Sequence, residues 1–148
     1  MTEYNIVNEV IKFRTAMKII LAKSQLYEFR KFKYFPKGCC VLSSHLLARH
    51  LVRNLGYEKT KIVRGYSSGW HYWILADTQV FDITSDQFED ISEIIIGESK
   101  WHNQIKISDE WIITNNFFDV NEGSDRADKL ILESVFNLII GSLDDTKT

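Results

Sequence analysis

Two adjacent thiols, Cys39 and Cys40, follow the turn-forming run Phe35-Pro36-Lys37-Gly38 and open an apolar stretch with helical spacing. A thiol at a helix start sits beside backbone N–H groups that lack intrahelical partners, and at the positive end of the helix dipole. Both favour thiolate over thiol, the form a nucleophilic cysteine needs. The same N–H groups can hydrogen-bond the oxyanion formed when a thiolate attacks a carbonyl. Gly38 lets a substrate backbone approach closely. Taken alone, such a cysteine reads as a small buried hydrophobe opening a core helix.

A second pair of residues changes that reading. His71 lies in Gly69-Trp70-His71-Tyr72-Trp73 and Asp82 in Val80-Phe81-Asp82-Ile83-Thr84, each within a strand-like run, with the short turn Ala76-Asp77-Thr78-Gln79 between them. Paired as a hairpin with its turn centred near residue 77, the two runs bring His71 and Asp82 together as direct or diagonal cross-strand neighbours. A carboxylate there accepts the proton of one imidazole nitrogen and fixes the tautomer, leaving the other nitrogen to face a thiol. Separately, the histidine is a packed polar residue and the aspartate a turn residue. Together with a helix-start cysteine they form a nucleophile, a base and an orienting acid.

The string Gly38-Cys39-Cys40, then His71-Tyr72-Trp73-Ile74, then Phe81-Asp82-Ile83-Thr84, resembles the transglutaminase-like branch of the papain-like cysteine enzymes. That superfamily carries a helix-borne Cys, a strand-borne His followed by an aromatic residue, and an Asp on the adjoining strand, in this chain order. The resemblance covers roughly Phe35 to Phe88, and Asp82-Ile83-Thr84-Ser85-Asp86-Gln87-Phe88 is similar to a local signature of small bacterial members. It implies Cys40 as nucleophile, His71 as general acid/base and Asp82 as orienting carboxylate. The Gly-x-Cys spacing selects Cys40 over Cys39, which is then a packed thiol or a redox partner that blocks Cys40 reversibly. The chain departs from animal transglutaminases in its short length, its lack of acidic calcium-binding loops and its cysteine doublet.

Other candidates rank lower. His45 falls in line with Arg49 and Arg53 on a presumed solvent stripe, His50 reads as a surface or boundary residue, and His102 lies in a segment without a clear assignment. Zinc is not expected, because there is no Cys-x-x-Cys and a vicinal cysteine pair chelates one ion badly. There is no phosphate-binding or dinucleotide fingerprint. Trp101 and Trp111 read as core, or as the lining of a substrate groove if exposed.

The elements that position these residues follow from hydrophobic period. Residues 2–33 lack Gly and Pro, and their apolar positions (Ile6, Val10, Ile11, Phe13, Met17, Ile20, Leu21) predict one or two helices. The helix opened by Cys39 or Cys40 is predicted to run to about Leu55, stopped by Gly56, burying Leu47, Leu51 and Leu55 along with Val41, Leu42, Leu46, Ala48 and Val52. From residue 59 the period becomes that of strands, expected at residues 61–66, 70–75, 80–84 and 91–96. Residues 100–120 are expected to hold a strand and a short helix. Ser124 or Asp125 is expected to cap a final helix that buries Leu130, Val135, Leu138 and Ile139 and ends at Gly141. Helices, an antiparallel sheet and a closing helix make an α+β domain. The resemblance makes it papain-like/transglutaminase-like, with the cysteine-bearing helix packed on the sheet.

With 148 residues, 45% hydrophobic and 26% charged, the chain is expected to form one domain, 1–148, with one core. A net charge of −2 gives no reason to expect nucleic-acid binding. The charge is uneven, however. Residues 1–37 carry eight Lys and Arg against three Glu, a balance of +5, while residues 38–148 carry ten against seventeen, a balance of −7. The basic segment reads as the solvated face of helices or as a contact for an acidic protein partner. No signal peptide or membrane span is visible, and two free thiols suit a reducing, cytoplasmic setting. The expected activity is acyl transfer from a peptide, isopeptide or glutamine amide through a Cys40 thioester. No metal or organic cofactor is expected. Hydrolysis by a cysteine peptidase or amidohydrolase is favoured over transglutamination or deamidation, with a non-catalytic binding module as the competing class.

Overall fold

A computed structural model describes residues 3–23, 40–85, 88, 94–114, 117 and 126–145. The first helix, α1 (Glu3–Lys23), forms where no Gly or Pro interrupts the chain. Its buried stripe is Ile6, Val10, Phe13, Met17 and Leu21, one residue per turn, while Ile11 and Ile19 lie outside the stripe and are exposed. Arg14 breaks the expectation of a solvated basic face. It is buried, and its guanidinium Nε donates to the carbonyl of Ile83 at 2.8 Å.

The second helix, α2 (Cys40–Arg53), starts at Cys40. It ends as the sequence suggests: Gly56 takes φ +76°, and Tyr57 N–H donates to the Leu51 carbonyl at 3.0 Å. Val41 is exposed, but Leu46, Leu47, Ala48 and Leu51 are fully buried. The stripe of Arg49 and Arg53 faces solvent only at Arg53. Arg49 is completely buried, and both guanidiniums donate to Glu133 of the last helix, α4 (Arg126–Asp145). An acidic residue on the facing helix turns an apparent surface stripe into an interhelical contact.

Five strands follow, β1 (Thr60–Tyr66), β2 (Trp70–Ala76), β3 (Gln79–Asp82), β4 (Ile95–Gly97) and β5 (Ile107–Ile113), in the antiparallel order β4-β3-β2-β1-β5. The β2–β3 turn is Asp77-Thr78, both at positive φ (50° and 70°), the two-residue geometry that matches strand twist. Strand β3 stops at Asp82, short of the expected Thr84, because the Thr84 N–H turns inward to Asp82 Oδ1 at 2.9 Å. Of the expected 91–96 strand, Ile95 and Ile96 are paired and the strand continues to Gly97, while residues 91–93 lie outside those described.

Both faces of the sheet are covered, which explains the unbroken apolar run Trp73-Ile74-Leu75-Ala76. Ile62, Ile74, Ala76 and Phe81 face the helices and join Phe13, Leu47, Leu51, Val135 and Ile139 in the larger core. Val63, Trp73 and Val80 point to the other side, where Ile105 and Trp101 cover them. Trp101 and His102 belong to one short helical turn, α3 (Lys100–Asn103). Helix α4 runs through Gly141 to Asp145 rather than ending there. Gly141 is exposed, and burial of Leu143 in the next turn outweighs the ~1 kcal/mol propensity cost of a helical glycine. Leu138 is exposed, contrary to its expected inward position, and the Leu130 side chain and the cap positions 124 and 125 lie outside the description. Helices on an antiparallel sheet make the chain α+β.

Candidate active site

His71 enters the site from the second position of β2, opposite Gly65 of β1. That glycine sits at the register shift of the β1–β5 pairing. A Cβ on it would meet Ile105 Cγ2 at 2.5 Å and the Lys106 carbonyl at 2.9 Å. The missing side chain therefore makes room for the segment that follows His102 to cross beside His71.

The His71 ring is fully buried, and its Nε2 lies 2.6 Å from Asp82 Oδ2. Its other partner is Cys40, at the start of α2, which both hydrogen-bonds His71 and bears on it electrostatically. With Nε2 committed to Asp82, Nδ1 is the nitrogen available to the thiol. Burial pulls the imidazole pKa down, but hydrogen bonds to Asp82 and Cys40 and the charges of both outweigh it, lifting His71 to about 9. Asp82 is also buried, which raises its pKa. Hydrogen bonds from His102 and His71, and the charge of His71, reverse this and hold it at about 2. The arrangement favours carboxylate and imidazolium beside the thiol.

The structure thus brings Cys40, His71 and Asp82 together. Cys39 lies outside the described residues, as do Pro36, Lys37 and Gly38. Two other histidines are structural. His50 is buried rather than at the surface, stacked on Phe13 with ring centroids 4.9 Å apart. His45 is half-buried against Phe117, and burial, aided by the charge of Arg49, lowers its pKa to about 4. Trp111 is partly exposed and stacks on Tyr72, away from the His71 ring contacts.

His102 is the site residue that sequence reasoning missed. Its Nε2 is 2.7 Å from the same Asp82 Oδ2, and its Nδ1 is 2.6 Å from Ser99 Oγ. Ser99 caps α3 by accepting the His102 backbone N–H at 3.1 Å. The signal available was Ser99-Lys100-Trp101-His102, a capping serine three residues before a histidine. Aromatic rings close the surroundings: Trp73, Phe88 and Trp101 pack around His71 with centroids 5.8, 4.9 and 5.8 Å away.

His71, Asp82 and His102 are also the one grouping among the described residues with the donor atoms for a metal ion. The expectation that cysteines would have to supply any such site overlooked it. Its N···O separations of 2.6 and 2.7 Å are hydrogen-bond distances. Ligands at ~2.0–2.1 Å from one cation stand roughly 3 Å or more apart. The grouping fits two N–H donors on one carboxylate oxygen better than a coordination sphere.

Among the described residues no helix is long and apolar enough to cross a membrane. No protein-family model, curated protein or solved structure matches the chain, so its transglutaminase-like resemblance stands on the motifs around Cys40, His71 and Asp82 alone.

Proposed function

We propose that this protein is a thiol-dependent acyl-transfer enzyme acting on an amide, with Cys40 as nucleophile, His71 as acid/base and Asp82 as orienting carboxylate in a transglutaminase-like, papain-like arrangement. The observation that carries this reading is the continuous contact from the helix-start thiol through a buried imidazole to a buried carboxylate. In the reaction, Cys40 sulfur bonds to the amide carbon, and backbone N–H groups at the start of α2 receive the oxyanion. The C–N bond then breaks as His71 passes its proton to the departing amine. Water, activated by the now neutral His71, cleaves the thioester to a carboxylic acid and restores the thiol. An amine in place of water gives transamidation. Hydrolysis is the outcome we favour, because water needs no binding site of its own.

The competing reading, a binding module that retains the arrangement without turnover, is favoured by one observation: Cys40 is only 8% exposed. The two are separated by incubating the protein with a panel of peptide, isopeptide and glutamine amides and quenching in acid, which preserves a thioester. Mass spectrometry finding an acyl adduct on Cys40, absent in Cys40→Ala, supports the enzyme. An unmodified Cys40 across the panel, with substrate bound but intact, supports the module.

A further inference from the structure

We propose that His102 is a positioning residue of this site: Ser99 sets its ring, and the ring in turn holds the Asp82 carboxylate in the orientation that aims His71 at Cys40. The catalytic meaning of this inference rests on the thiol reading above, although the positioning itself does not.

Strand pairing does not fix Asp82 against His71. The β2–β3 ladder has its last pair at Ile74 and Phe81, and the Asp82 backbone pairs outward, with Ile95 of β4. The carboxylate is therefore held by its side-chain partners. Oδ1 accepts the Thr84 N–H at 2.9 Å, and Oδ2 receives both imidazoles, at 2.6 and 2.7 Å. Removing His102 leaves Oδ2 tied only to the group it is meant to orient.

The direction of the His102 bond follows from Ser99. Its Oγ accepts the His102 backbone N–H at 3.1 Å, so its own proton is free to point at Nδ1, 2.6 Å away. Nδ1 then accepts, and Nε2 carries the hydrogen toward Asp82. Every donor in the line Ser99, His102, Asp82 points the same way. Trp73 and Trp101 hold the ring in place, with centroids 5.1 and 4.7 Å from it.

A second donor has a chemical consequence besides geometry. It stabilises the ionised carboxylate, so Asp82 stays charged to lower pH and His71 stays protonated beside the thiol. The titratable groups facing this pair are Cys40 from α2 and His102 from α3.

The test uses the full chain with His102→Leu, His102→Gln and Ser99→Ala, each checked by thermal denaturation. Glutamine places an amide N–H where Nε2 stands, whereas leucine fills space without a donor. Two readouts are taken: the rate of Cys40 alkylation by iodoacetamide from about pH 4 to 9, and the His71 tautomer by heteronuclear imidazole NMR at about pH 10, above the His71 pKa of about 9, where the ring is neutral. His102→Leu is expected to move the acid limb of the alkylation profile up by about one pH unit, which slows labelling roughly tenfold on that limb and leaves the plateau nearly unchanged. His102→Gln should stay within about threefold of the unmodified protein, with Ser99→Ala between the two. The His71 tautomer should be mixed in His102→Leu and single in His102→Gln. An unchanged limb and tautomer in His102→Leu, with only the melting temperature lowered, overturns the proposal. If that variant does not fold, an unchanged limb and tautomer in Ser99→Ala overturns it instead. Should Cys40 of the unmodified protein label no faster than a free thiol, the acyl-transfer reading fails, and the tautomer spectra alone decide the positioning role.

Discussion

His71 and Asp82 are 2.6 Å apart although they are not cross-strand partners. The hairpin register, Leu75 opposite Val80 and Ile74 opposite Phe81, makes them diagonal neighbours beyond the last ladder pair. The Asp82 carboxylate is thus aimed at His71 by side-chain bonds rather than by β2–β3 pairing. Asp82→Asn replaces a carboxylate that accepts two imidazoles on Oδ2 and the Thr84 N–H on Oδ1 with an amide whose NH2 group must face one of those donors. A stability loss of about 3 kcal/mol is expected, measured by urea denaturation. The His71 pKa, followed by NMR, should drop below its ordinary value as burial prevails. Acylation should slow, but less than in His71→Ala, because the thiol and the helix-start N–H groups stay in place.

The same pair predicts how stability follows pH. His71 is raised from an ordinary value of 6.5 to about 9 in the folded protein, so its contribution is fully present below pH 6.5. It is lost as pH rises through about 9, at about 1.4 kcal/mol per pH unit while it titrates. His45 acts in the opposite direction. Its pKa falls to about 4, so its contribution is present above pH 6.5 and is lost as pH falls toward 4. Melting temperatures recorded across this range should form a dome with both shoulders. Replacing His45 with Gln should flatten the acid shoulder and leave the alkaline one.

Gly65 is expected to tolerate no side chain. Gly65→Ala puts a Cβ 2.5 Å from Ile105 Cγ2 and 2.9 Å from the Lys106 carbonyl, where backbone limits relaxation. A destabilisation of about 1–3 kcal/mol follows from overpacking, read as a lowered melting temperature. The segment behind His102 is displaced with it, so Cys40 labelling should slow even at temperatures where the variant is folded.

Glu133 joins two cations of very different exposure. Glu133→Ala leaves Arg49, which is fully buried, without this anionic partner, and should cost about 2–3 kcal/mol in denaturant titration. Arg53→Ala removes only the partly exposed half of the network and should cost about 1 kcal/mol or less.

Most of the sheet and the C-terminal end of α2 were legible, because period and turn chemistry act locally. Gly56 closes α2, and Asp77-Thr78 turns β2 into β3. What escaped depended on distant partners. Arg14, Arg49 and Arg53 look like solvent residues until Ile83 and Glu133 are placed beside them. His102 had no periodic context, since α3 is a single turn fixed by Ser99 and by packing against Trp73. The two-histidine grouping around Asp82 was hidden for the same reason: its three residues come from three separate elements.

Alkylation of Cys40 by iodoacetamide is measured against pH by peptide mapping, in the unmodified protein and in His71→Gln. An imidazolium-paired thiolate predicts Cys40 labelling ahead of Cys39, with a rate already on its plateau at about pH 6 to 7. In His71→Gln that plateau should vanish and labelling should rise only toward an ordinary thiol pKa of about 8.5, at least tenfold slower at about pH 6. If the unmodified protein and the variant give the same profile, with Cys40 inert until about pH 8, His71 does not activate the thiol and the acyl-transfer mechanism is wrong.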